Sequence, residues 1–316
     1  MIICIKGKIF YESSGDMEYI IALIPAIAWG LIGIIAKKAG GKPEQQTIGS
    51  LVGFLFFAGI TYLFIGPSIS IQILIVGFIS GSCLAMANFG QFDAMQDLGV
   101  SRTVPLVAAG QLVLNNLVAA ILFKEWTSIN QWFFGIIALI IIIMGAKFTS
   151  FQDSSIDYEN ELVYTKKGLK GVFICVVAGS LYSIVPKAYQ YYFINNIKND
   201  YVYALMLPQA IGGIVLGSII YRLKIKKTVL KELTSKYMWR NTLTGLSWSV
   251  GNLFLLISST SSIGLAVAFT LSQLNIIVGG LLGSLILKEE KTIKEMRFFL
   301  LGIVLVLTGA IISTKI

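Results

Sequence analysis

The sequence predicts an all-α integral membrane protein: ten transmembrane helices arranged as a 5+5 inverted repeat. Three observations carry that expectation. Ten apolar runs alternate with short connections, only 13% of the residues are charged, and landmarks of the first half return in the second at a nearly constant offset of 164. Of the 316 residues, 56% are apolar or aromatic. Ten crossings at about 20 residues each would leave room for little but loops. A soluble protein of this length needs far more charged surface to cover its core, so soluble enzymes are set aside. The mean hydropathy of +0.80 agrees.

In chain order the runs are read at Ile20–Ala36, Ile48–Ile65, Ile71–Phe89, Thr103–Phe123 and Trp132–Ala146, then Gly171–Lys187, Tyr203–Tyr221, Thr242–Ile257, Ile263–Leu287 and Phe298–Ile312. Nine spans is the alternative count, since a short run can be a broken helix. Backbone polar groups must be satisfied inside lipid, and runs this long without strand alternation favour helices over a barrel. The segment before Met17 has mixed charge and no signal-peptide core, which reads as a small extension or as a start codon placed too early.

Charge sets the orientation. Of the 25 Lys and Arg residues, 19 fall in the odd-numbered connections and six in the termini and even-numbered ones. The positive-inside rule then places both termini outside and the odd connections in the cytoplasm. Arg222, Lys224, Lys226, Lys227, Lys231, Lys236 and Arg240 contribute most, and read as a topogenic loop beside anionic headgroups. The same bias explains the net charge of +9 without nucleic acid as a partner.

The repeat spans residues 17–150 and 168–316. Gly49 and Gly53 return as Gly213 and Gly217, Gly81 as Gly245, Asn88 as Asn252, Lys124-Glu125 as Lys288-Glu289, and Gly145 as Gly309, while Gln111 falls opposite Asn275. Close helix packing alone produces small-residue spacings. An ordered series through several spans is much harder to obtain by chance. With five helices per copy the second must enter from the opposite face, which gives a transporter two alternately open states.

Histidine is absent, which excludes His-based acid–base catalysis, His metal sites and Ser-His triads. Cys4, Cys83 and Cys175 are odd in number and widely spaced, and read as small packing residues. No cofactor or metal is expected. Charges are nearly missing from the spans, where each central one would cost about 2.5–3.5 kcal/mol. The expected substrate is therefore uncharged. The spans offer instead amides and aromatics: Trp29, Asn88, Gln91, Gln111, Asn115, Gln209, Trp248, Asn252, Gln273 and Asn275, with Tyr182 beside them. Amides both donate to and accept from hydroxyls, and an aromatic face covers an apolar sugar face. The alternative for any one of them is polar packing between helices.

Any proton carrier must be a carboxylate, and Asp93, Glu125, Glu289 and Glu290 near span ends are the candidates. Asp93 and Asp97 are read just after the third span, as a coupling or gating pair or as an interfacial cluster with Arg102. Lys124-Glu125 and Lys288-Glu289-Glu290 read as helix stops. Pro25, Pro105, Pro186 and Pro208 either kink helices or mark their ends.

Several segments together resemble the bacterial glucose/ribose porter family of the drug/metabolite transporter superfamily over Met17–Lys315. These are Pro25-Ala26-Ile27-Ala28-Trp29-Gly30, Gly40-Gly41-Lys42-Pro43 with Gln46 and Gly49, Gly99-Val100-Ser101-Arg102-Thr103-Val104-Pro105, Pro208-Gln209-Ala210, Gly251-Asn252-Leu253-Phe254 and Leu271-Ser272-Gln273. The resemblance implies monosaccharide uptake across a bacterial plasma membrane through a ten-helix inverted-repeat fold, with no ATPase subunit. The Gly-Gly-Lys-Pro loop, Tyr182–Pro186 and Pro208-Gln209-Ala210 look more like members assigned to ribose, and Gly251–Phe254 more like those assigned to glucose. Proton coupling and oligomeric state stay open. The competing reading is an exporter of metabolites or drugs on the same fold. An intramembrane enzyme is disfavoured, because no H-E-x-x-H or G-x-S-x-G pattern occurs.

Overall fold

Helices build the apolar length of the chain. The computed structural model describes residues 2–5, 8–11, 15–151, 166–193, 201–259, 271–272, 274–288 and 291–313. A two-stranded antiparallel hairpin, β1 (Ile2–Ile5) with β2 (Lys8–Tyr11), comes first. Then follow α1 (Gly15–Ala39), α2 (Pro43–Ile65), α3 (Ile71–Leu98), α4 (Val100–Leu122), α5 (Ile129–Thr149), α6 (Lys166–Phe193) and α7 (Tyr201–Ile225). A 3-10 turn (Val229–Thr234) and α8 (Lys236–Arg240) lead to α9 (Thr242–Ser259), α10 (Asn275–Leu287) and α11 (Ile293–Ser313).

Eight of these, α1 to α7 and α11, are long and apolar enough to cross a membrane. The remaining two expected spans correspond to α9, which is interrupted by Thr, Ser and Asn, and to the 13-residue α10. Residues 260–270, which include the expected start of the ninth span at 263, lie outside the described residues, as do Gln273, Glu289 and Glu290.

Most helices outrun the apolar stretches that announce them, because the hydrogen-bond ladder continues through polar turns beyond the hydrocarbon. One expectation is corrected here. Asp93 and Asp97 do not follow the third span but lie within the last turns of α3, which ends at Leu98. All four singled-out prolines also sit inside helices. Local signals set the ends. Gly40 and Gly41 take φ of 75° and 90° between α1 and α2, a region open to glycine at little cost. Gln45 Oε1 then accepts from the Lys42 amide at 3.0 Å, and Ser128 with Gln131 forms a capping box on α5. Lys124 and Lys288 have φ of 53° and 54°, each just past a helix end, so both expected helix stops act as left-handed caps.

Packing runs mainly between the two halves. Helix α3 lies on α6 and α7, and α9 lies on α1 and α2; α4 meets α6 and α10 meets α1; α2 meets α7, α4 meets α10, and α5 meets α11. Glycines make the close crossings. The backbone of Gln209 fills the space above Gly81, and that of Ser50 the space above Gly245. Between α5 and α11 a Cβ on Gly145 would stand 2.7 Å from both the Gly302 carbonyl oxygen and Val306, while one on Gly309 would stand 2.8 Å from the Ala138 carbonyl oxygen and 2.6 Å from Ile142. Such crossings let helix backbones approach closely in lipid, where no hydrophobic effect drives helices together.

Candidate functional site

Six helices, α1, α3, α4, α6, α9 and α10, enclose a cavity of about 270 Å³. Of the expected site residues, Trp29, Asn88, Gln91, Gln111, Asn115, Trp248, Asn252 and Asn275 line it. Among the described lining residues there is no Asp, Glu, Lys or Arg. Two amide pairs are related by the 164-residue offset, Asn88 with Asn252 and Gln111 with Asn275, and both members of each pair line this one space.

Hydrogen bonds already made by these groups show what each has left to offer. Gln111 donates through Nε2 to the Cys175 carbonyl at 3.3 Å, which leaves its Oε1 as an acceptor. Ser183 Oγ donates to the Ser180 carbonyl at 2.9 Å and stands 3.5 Å from Asn115 Oδ1. Asn275 Oδ1 is buried and has no hydrogen-bond partner among the described residues. An unmet buried acceptor costs about 1–3 kcal/mol, and its place on the cavity wall leaves it open to a donor there.

Aromatics form another part of the wall. Trp29 Nε1 donates to the Trp248 carbonyl at 3.0 Å. The ring of Trp248 receives Tyr182 edge-on at 5.4 Å and Phe54 edge-on at 4.9 Å, arrangements that suit the ring quadrupoles. These contacts hold the indole in one orientation.

Gln209 does not line the cavity. It is buried behind Tyr182, accepting from the phenol oxygen at 3.2 Å and donating to Ser80 Oγ at 3.0 Å, while Ser80 donates to the Tyr182 carbonyl at 2.7 Å. The circuit closes on itself, and Gln209 positions Tyr182. Gln273 lies outside the described residues. Tyr182, expected beside the ten positions, lines the cavity too, and so does Ser183, which was not expected. A polar pair embedded in the sixth apolar run was the available signal for them.

The candidate proton carriers sit elsewhere. Asp93 and Glu44 both pair with Lys224, at 2.9 and 3.2 Å. Glu125 pairs with Lys187, both about half exposed, where an ion pair contributes little. Glu289 and Glu290 lie outside the described residues.

Comparison with known proteins gives one consistent answer. A family model described as "Sugar transport protein" matches residues 20–316. A Streptococcus pyogenes serotype M1 protein bearing the name "Putative sugar uptake protein" is 37% identical over 291 residues, covering 92% of this chain and 96% of that protein. "Putative sugar uptake protein YxfA" of Lactococcus lactis is 37% identical over 298 residues, covering 93% and 96%. A solved crystal structure with 12% identity superposes with a TM-score of 0.55 over 96% of this chain and 98% of that one, a likeness of fold alone.

Proposed function

We propose, from the premise that the chain belongs to the sugar transport protein family, that it takes up a neutral monosaccharide, ribose or glucose, across a bacterial plasma membrane by alternating access. Eight apolar helices and the family make it a multi-pass membrane protein. The observation that carries the substrate reading is the uncharged cavity in which two offset-related amide pairs converge. At about 270 Å³ it lies just below the roughly 300–1,000 Å³ of pockets for drug-sized ligands, which fits one sugar ring. Amide oxygens and nitrogens meet the hydroxyls, and the Trp248 and Tyr182 rings cover an apolar face.

A ten-helix 5+5 inverted repeat accounts for the packing. An offset of 164 carries Gly145 and its neighbours Gly302 and Val306 onto Gly309 and its neighbours Ala138 and Ile142. The α3–α6 and α1–α9 contacts exchange under the same operation, as do α4–α6 and α1–α10. Lys124 and Lys288 share their left-handed backbone. Two halves related in this way can rock about a site between them. The charge bias puts the α1–α2, α3–α4 and α7–α9 connections in the cytoplasm.

Uptake of labelled ribose and glucose by a host lacking its own permeases, with and without an uncoupler, tests substrate and coupling together. Saturable uptake of one sugar supports the reading. No uptake, together with efflux of a dye or metabolite, would replace it with the exporter. Membrane-impermeant labelling of a cysteine placed in the Val229–Arg240 connection from outside the cell would reverse the orientation.

A further inference from the structure

A second cavity, of about 310 Å³, lies at the end of α1 marked by Gly40 and Gly41. Its polar lining includes Lys37, Gln46 and Gln96. Gln46 spends its Nε2 on the Ala36 carbonyl at 3.0 Å and keeps its Oε1, while Lys37 and Gln96 are exposed and supply donors. This set of groups suits the same chemistry as the central cavity, the hydroxyls of a neutral polyol.

The wall between the two cavities is thin. On α1, Ile32 lines the central cavity and its neighbour Gly33 lines the second. On α4, Val104 lines the central cavity and Val100, one turn away, lines the second. Ile32, Val100 and Val104 join Phe92 and Met95 in one buried apolar cluster. Val100 presses on α1 so closely that a Cβ on Gly33 would stand 2.5 Å from it. A single layer of apolar side chains is a barrier that water crosses poorly, and small helix movements open it.

We propose that the second cavity is a separate sugar subsite on the cytoplasmic exit path, separated from the central site by an apolar gate of Ile32, Phe92, Met95, Val100 and Val104. The proposal rests on the monosaccharide-uptake reading. A sugar leaving the central amides finds donors and acceptors again within two turns of α1, so that the dry step is short and its desolvation is limited to that layer.

Cysteine protection in inside-out vesicles of the full-length protein tests it, with the unsubstituted chain as the labelling baseline. An impermeant maleimide should label Gln96→Cys, and the transported sugar should slow that labelling at least about threefold. Protection should survive Gln111→Ala, which disables the central site alone. In a separate arm, Val100→Ala should speed labelling of Gln91→Cys, which faces the central cavity, from the same side. If Gln96→Cys fails to reach the membrane, Lys37→Cys serves at the same cavity. Protection that vanishes with Gln111→Ala confines the sugar to the central cavity and overturns the subsite. An unprotected thiol overturns it as well, and an unchanged Gln91→Cys rate overturns the gate. Failure of the uptake reading shows differently, as no sugar uptake by the unsubstituted protein in the permease-lacking host.

Discussion

Trp29 Nε1 donates to the main-chain carbonyl of Trp248 at 3.0 Å, a bond that ties α1 to α9 at the cavity wall. Phenylalanine keeps most of the ring but has no donor. Trp29→Phe should therefore lower the melting temperature in detergent by a few degrees, in line with about 1 kcal/mol for a lost hydrogen bond. It should also weaken sugar affinity, because the Trp248 wall is no longer anchored. Thermal unfolding and uptake kinetics check both, and unchanged values for both would remove the bond from the argument.

Tyr182 and Gln209 make a different prediction, because only the first lines the cavity. Tyr182→Phe leaves Gln209 Oε1 without its phenol donor but preserves the ring against Trp248. The stability loss should be about 1–2 kcal/mol. The rise in KM should be smaller than for Gln111→Ala, whose amide itself faces the sugar. A larger KM effect for Tyr182→Phe would assign the phenol oxygen to direct binding.

The offset relation between α5 and α11 predicts twin phenotypes. Leucine at Gly145 meets the Gly302 carbonyl and Val306, and leucine at Gly309 meets Ala138 and Ile142. Backbone cannot yield as a flexible side chain can, so each substitution must separate the helices. Gly145→Leu and Gly309→Leu should reduce the folded membrane yield to a similar extent, measured by size-exclusion of the solubilised protein. One tolerated and one destructive substitution would break the equivalence.

These relations show why part of the site was legible in the sequence. Asn88, Gln111, Asn252 and Asn275 stand out because an amide in an apolar run has few roles, and the 164-residue spacing pairs them. Gln209 carries the same signal and serves another purpose, since the direction of a side chain depends on how its helix is rotated against its neighbours. Ser183 gave a weak signal because serine is common wherever membrane helices pack. The position of Asp93 was misjudged for a third reason. Hydropathy follows the hydrocarbon core, whereas α3 continues for nine residues beyond Phe89, as far as Leu98.

Asp93 shares Lys224 with Glu44, at 2.9 and 3.2 Å, and lines no part of the central cavity. After Asp93→Asn the Glu44 carboxylate still balances the lysine. Uptake should fall by less than about threefold, since partly exposed pairs contribute about 0–1 kcal/mol. Any sugar-driven alkalinisation of the medium should be retained. Its loss, with uptake down the gradient preserved, would identify Asp93 as a coupling carboxylate.

Asn275 permits the sharpest separation of stability from function. Its Oδ1 is buried without a partner among the described residues, and it lies on the cavity wall. A substrate hydroxyl donating to that oxygen would remove the penalty on binding, which makes the atom costly when empty and useful when filled. Asn275→Leu replaces the amide with an apolar side chain of similar size. The variant should melt higher than wild type without sugar, by a margin corresponding to about 1 kcal/mol. It should lose at least about tenfold in uptake efficiency, the equivalent of roughly 1.4 kcal/mol. Added sugar should stabilise the wild type and leave Asn275→Leu unchanged, since a ligand raises stability only where it binds. Sugar-dependent stabilisation of the leucine variant equal to that of wild type would show that Asn275 does not contact the substrate.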